Sequence, residues 1–164
     1  MIASLFRGAR YLPVGALLIA AALQGCVSSQ VPLLDESTAI ADPSFTGRYR
    51  ISGVDKLPSE MNVFLKDKKY VLVVDPKHFF VATLHRRPDD IYLVQMRATG
   101  VSSEYNYFLL RKSPSGFELN LIPCDANCNS IHDLDGLNAM ADNAASHFNE
   151  KGFAQAEKLA ELGR

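Results

Sequence analysis

The chain has 164 residues, 48% hydrophobic and 21% charged, with 17 Lys and Arg against 18 Asp and Glu. That length and apolar content suit one domain with its own core, and exclude a disordered or collagen-like chain. The near-neutral charge, with no basic tract, argues against nucleic acid as a partner, because displacing counterions from phosphates takes clustered Lys and Arg.

The first 25 residues hold Arg7 and Arg10, no acidic residue, and an apolar region from Leu12 to about Leu23. A basic end followed by a short apolar region reads as a secretory signal peptide. The region is too short for a comfortable spanning helix, which takes about 20 apolar residues. It closes in Leu23, Gln24, Gly25 and Cys26. Leucine three before the cysteine and glycine directly before it make this stretch resemble the lipobox of bacterial lipoproteins, with Gln24 a less usual occupant. The resemblance covers residues 1–26 and implies nothing about the fold. It implies cleavage between Gly25 and Cys26, diacylglycerol bearing palmitate-like chains on the Cys26 thiol, and usually a third chain on the new amino end. The alternative is an uncleaved anchor helix with an incidental cysteine. Two or more acyl chains anchor stably, since each buried methylene contributes about 0.8 kcal/mol. A membrane is therefore the first expected partner. Val27 in place of aspartate after the cysteine implies, by the sorting rule of enteric bacteria, the outer membrane, facing the periplasm. Cleavage leaves 139 residues, with 15 basic against 18 acidic side chains and a formal charge of about −3.

Residues 26–44 form the lipidated amino end and a tether. Ser28, Ser29, Pro32, Asp42 and Pro43 break any period, so the stretch reads as extended or flexible. Its expected use is reach, at most about 3.5 Å per residue. Docking of Val31, Leu33 and Leu34 on the domain is the alternative.

The globular domain, 45–164, opens with short runs rich in aromatic and branched residues. Strands are expected over 47–52, 62–66, 70–74, 79–85, 91–97, 104–111 and 116–122, separated by turn-forming stretches. One break, Ser113 to Gly116, fits a hairpin with Pro114 at a position that uses its fixed φ. In the last run Phe117, Leu119 and Leu121 share a face while Glu118 and Asn120 point away. The runs 70–74 and 79–84 are apolar on both sides, so a helical layer or barrel closure must cover them. Ser130 with Asp133 three later reads as a helix start. Leu134, Leu137, Ala141, Ala144 or Ala145, and Phe148 then recur at helical spacing. A second helix, 153–162, is expected with Phe153, Ala156, Leu159 and Ala160 on one face. The fold class is α+β: an antiparallel β-meander of about seven strands, open or barrel-like, with two C-terminal helices packed on it.

Cys124 and Cys128 are the cysteines left once lipidation uses Cys26. In an oxidising compartment they most simply form a disulfide, a local clip contributing about 1–2 kcal/mol. As a metal alternative, Cys124, Cys128 and His132 are spaced by fours, but a fourth ligand is lacking. The three-residue spacer also departs from thioredoxin-like redox sites. His78 and His85 could join the Asp89 and Asp90 carboxylates in an acid/base site, but with Arg86 and Arg87 they lie where turns are expected and read as solvated charges. Ser113, Ser115 and Ser146 lack a nucleophile elbow, and no zinc-protease, phosphate-loop or dinucleotide motif is present. No catalytic residue is assigned and no cofactor is expected.

Tyr92, Tyr105, Tyr107, Phe108 and Phe117, on three successive strands, read as core and cross-strand pairs or as the lining of a ligand site. Three roles remain. A structural or protein-interaction subunit in the envelope predicts an exposed apolar patch of more than a few hundred square ångströms. A module for a small apolar molecule or lipid predicts a closed cavity lined by the tyrosines. A lipoprotein enzyme predicts a perturbed titratable cluster or an accessible thiolate. The first is preferred because positive signals for the third are missing.

Overall fold

The computed structural model describes residues 27–53, 60–76, 78–100, 103–122, 131–148 and 154–162. They form β1 (Ser28–Ser29), β2 (Gly47–Ser52), β3 (Glu60–Lys66), β4 (Lys69–Asp75), β5 (His78–Arg86), β6 (Ile91–Ala98), β7 (Tyr105–Ser113), β8 (Gly116–Leu121), the helix α1 (Leu134–Ser146) and β9 (Ala154–Ala160). The seven expected strands coincide with β2 to β8 to within two residues at either end.

Each strand from β2 to β8 pairs antiparallel with the next, and β9 pairs with both β8 and β2. The eight strands therefore close an up-and-down barrel, and closure removes the edges that an open sheet exposes. The helix expected over 153–162 is in fact β9. Ala154 and Ala156 point into the barrel and Gln155 and Glu157 point out, a period of two that overrides the helical propensity of alanine, glutamate and lysine. Small residues are needed there because Tyr49 and Phe117 fill the adjoining interior, their rings 4.7 Å apart. The described residues thus contain one α-helix, not two.

Alternation sends Tyr49, Met61, Val63, Tyr70, Ala82, Leu84, Tyr92, Val94, Phe108, Leu110, Phe117 and Ala156 into the barrel core. An eight-stranded barrel is just wide enough for such side chains to fill. One end is plugged by a 3-10 turn, Pro43–Phe45, whose Phe45 ring packs edge-on against Tyr92 at 5.2 Å and near Phe117 and Tyr70 at 6.2 and 6.3 Å. Each such fully buried side chain contributes about 2 kcal/mol.

A second core lies outside the barrel, between α1 and the outer faces of β6 and β7. Leu137, Ala141, Ala144 and Phe148 pack there on Ile91, Leu93, Tyr107 and Leu109, joined by Val27, Ile122 and Ile131. The N-cap of α1 is Asp133, whose carboxylate accepts from the Gly136 amide at 2.7 Å. Four of the expected facing residues are buried; Leu134 instead remains 43% exposed.

Residues 27–44 do not form a free tether; the docked alternative is the one observed. Val27 is fully buried and its carbonyl accepts from the Tyr107 amide at 3.1 Å. Ser28 and Ser29 pair with Asn106 and Tyr105, continuing the lane that β8 leaves after Leu121. Leu33 and Leu34 pack on the outer core, while Val31 stays exposed. The strap then crosses β5, where Ile40 bridges Leu84, and reaches the plugged end. Cys26, Cys124 and Cys128 lie outside the described residues, so the lipid and disulfide expectations stand as such.

Candidate functional site

Among the described residues, the barrel's outer surface is covered over β6, β7 and the end of β5 by α1 and the strap, polar over β2 and β9, and apolar and uncovered over β3, β4 and the start of β5. Outward-pointing Phe64, Val71 and Val81 face one another directly across three strands, and the next row runs Asn62, Val73 and Phe79. Phe64 is 45% and Phe79 is 42% exposed, with the three valines half-buried between them. Together they expose apolar surface on the order of 200–300 Å². The first row continues in register through Arg97 to Tyr105, the guanidinium lying 5.5 Å from the tyrosine ring centroid. Exposed Lys66, Lys68 and Asp67 at the β3–β4 hairpin border the other side.

This is the face that the sequence places under a cover. Both sides of 70–74 and 79–84 are indeed apolar, but barrel closure covers only the inner one. A doubly apolar pair of strands was the available signal.

The five aromatics expected to line one ligand site separate. Tyr92, Phe108 and Phe117 are inside the barrel, while Tyr107 lies under the strap and Tyr105 at the end of the apolar row. Burial, helped by the nearby Glu161 carboxylate, pushes Tyr49 up to about 12. Burial also raises Tyr70 and Tyr107, so these hydroxyls stay protonated.

Of the buried polar side chains, Gln95, Thr83 and His85 lie beneath the strap and Ser29 belongs to it, and all four are bonded. Ser29 Oγ and Tyr107 Oη are 2.7 Å apart, Tyr107 Oη donates to Gln95 Oε1 at 3.2 Å, and Gln95 Oε1 also accepts from the Leu33 and Leu34 amides at 2.9 and 3.1 Å. His85, expected as a solvated charge, is 8% exposed, with its ring nitrogens 3.1 Å from the hydroxyls of Thr38 and Thr83. Burial lowers its pKa below 6.5, against a small opposing pull from Asp35. The neighbouring charges are spent elsewhere: Arg86 on Asp90, and Arg87 on Asn138 and Asp142 of α1. These groups clamp the strap and converge on no open site.

A cleft of about 540 Å³ at the plugged end is lined by Phe45, the β7–β8 hairpin and the end of β9. Its two lysines are engaged, Lys112 with Asp42 at 2.6 Å and Lys158 with Glu161 at 2.6 Å and the Ser44 carbonyl at 3.1 Å. Burial acts against ionised Asp42, but hydrogen bonds from Lys112 and Ser44 outweigh it and hold the carboxyl below its ordinary value. Among the described residues no three His, Cys, Asp or Glu side chains converge as a metal ion would need. His132, the one described member of the Cys124, Cys128 and His132 set, is exposed. The bare apolar face is the feature that packing leaves without a use. Comparison of the chain with protein-family models, with curated proteins and with solved structures finds no match.

Proposed function

We propose that this chain is an envelope lipoprotein, anchored through Cys26 and facing the periplasm, that serves as a protein-interaction subunit by presenting the outer face of β3 to β5. The observation that carries the reading is the uncovered Phe64, Val71, Val73, Phe79 and Val81 surface. Two of the four large exposed apolar side chains among the described residues fall on this one face, and a clustered apolar patch is often functional even on a monomer. Closure of the barrel leaves no strand edge among β2 to β9 for β-augmentation, so recognition falls to a face. A standard interface takes about 800 Å² per partner. The apolar rows therefore form its centre, with Arg97 and Lys66 in the rim, as arginine enrichment at interfaces favours.

A second reading, a module for a small apolar molecule, is favoured by Ile51, Val74, Met96, Leu119 and Leu121, half-buried inside the barrel toward the end away from Phe45.

Site-specific photocrosslinking in intact cells tests the first reading. A photoreactive residue at position 64 or 79 should give the same partner adduct, and one at exposed Ala139 on α1 should not. The adduct from position 64 should fade when Phe79 is changed to Ser. Equal adducts from all three positions, or none from 64 and 79, would refute it. Cys26→Ser should release the protein from the membrane without acylation; unchanged mass and retention would count against the anchor.

A further inference from the structure

The strap bears on how an anchored barrel sits. From Val27 onward the chain is committed: Val27 is fully buried, Ser28 O accepts from the Ile131 amide at 2.9 Å, and Gln30 Nε2 donates to Glu104 at 2.9 Å. The residue proposed to carry the acyl chains is bonded directly to Val27, and consecutive Cα atoms are about 3.8 Å apart. No slack separates lipid from barrel.

We infer that the barrel rests directly on the bilayer surface, with the corner built from β1, the start of β7 and the first turn of α1 against the lipid headgroups. The inference rests on the Cys26 anchor of the proposed function and deepens it. Distribution of exposed apolar side chains agrees. Among the described residues the large ones are Val31 at 58%, Leu134 at 43%, Phe64 and Phe79. Val31 lies just past β1, and Leu134 is three residues beyond Ile131, whose amide binds Ser28. Both therefore flank the point where the anchor enters. Phe64 is on β3, four strands round an eight-strand ring from β7, and so faces away from the membrane toward the periplasm. The corner carries Glu104, Asp133 and Asp135, the last two exposed. Carboxylates there favour the ammonium of a zwitterionic phosphatidylethanolamine over an anionic headgroup. The outcome is a fixed orientation: lipid on the α1 side, the partner-binding face outward.

The chain contains no tryptophan, so a single introduced one is a clean reporter. The full lipoprotein carrying Leu134→Trp or Phe64→Trp is purified from membranes, its acylation read by intact mass, and reconstituted in phosphatidylethanolamine-rich vesicles with a dansyl-headgroup lipid. Energy transfer from position 134 should exceed that from position 64 by roughly threefold, given a barrel held within about 10 Å of the surface. Ten Gly/Ser residues inserted between Cys26 and Val27 should level the two signals. An acylated protein with equal transfer from both positions, or more from position 64, overturns the orientation and leaves the lipoprotein reading standing. A protein without acyl chains overturns both.

Discussion

Replacing Gly116 by alanine tests barrel closure directly. At Gly116 φ is +154°, and a Cβ there would lie 2.0 Å from the Ala156 carbonyl oxygen and 3.1 Å from the Lys158 amide nitrogen. Ordinary contact needs over an ångström more, and the obstacle is backbone, so β9 must retreat. That breaks the Lys158 amide bond to the Ser115 carbonyl, now 2.6 Å, and loosens the adjoining Phe117 and Ala156 pair. Two backbone hydrogen bonds at about 1 kcal/mol each, plus about 1–2 kcal/mol for forcing alanine into this φ, are offset by about 0.5 kcal/mol of reduced unfolded-chain entropy. The net loss is about 3 kcal/mol. Equilibrium urea unfolding should show it as a lower midpoint at unchanged slope. Were residues 154–160 helical, nothing would oppose the new methyl and only the φ cost would remain. A loss of about 1.5 kcal/mol or less would therefore refute the closure.

Two more predictions concern the strap. Tyr107→Phe removes the hydroxyl shared by Ser29, Gln95 and the Leu33 amide; it should cost about 1–3 kcal/mol and speed proteolysis within 27–34, and an unchanged cleavage rate would sink the clamp. The second follows from His85, whose pKa is lowered by burial. Well above pH 6.5 the imidazole is neutral in folded and unfolded chains and adds no slope; as pH falls through 6.5 toward the lower folded value, the unfolded chain binds the proton first and stability declines. Urea midpoints from pH 7.5 down to 5.5 should fall in the parent and stay flatter in His85→Gln, whereas equal slopes would show that His85 is not the titrating group.

Most of the barrel was legible in the sequence because its strands alternate and its turns are chemically marked. Strand β8 reads out of Phe117, Leu119 and Leu121 alone. The stretch that misled was 154–160, which satisfies both periods: Ala156, Leu159 and Ala160 fit a helix, and Ala154, Ala156 and Lys158 fit a strand. Local propensity favours the helix. Only the unpaired edges of β2 and β8, invisible in a local window, decide for the strand. The strap misled for the opposite reason. Residues 27–44 lack any period because they cross the barrel instead of running within it, so each contact is a separate event: Ser29 on Tyr107, Leu33 on Gln95, Thr38 on His85, Asp42 on Lys112. The polar Gln95 in an otherwise apolar strand was the one sign that something polar would be laid over it.

The candidate site was half legible. That β4 and β5 are apolar on both faces is plain from 70–74 and 79–84; that one face stays bare depends on how many covering elements exist. Converting the expected second helix into β9 removes one cover and closes the barrel at once, and α1 can shield only the β6 and β7 side, where Leu137 and Ala141 are already fully buried. The strap covers the ground between α1 and β5, held by buried hydrogen bonds that are costly to leave unmade. What remains bare among the described residues is the arc from β5 to β3, with β3 directly across the barrel from β7. Among the described residues, the same count of covering elements that falsifies the two-helix expectation thus singles out Phe64, Val71, Val73, Phe79 and Val81, and binds the interaction reading to the closure that Gly116→Ala tests.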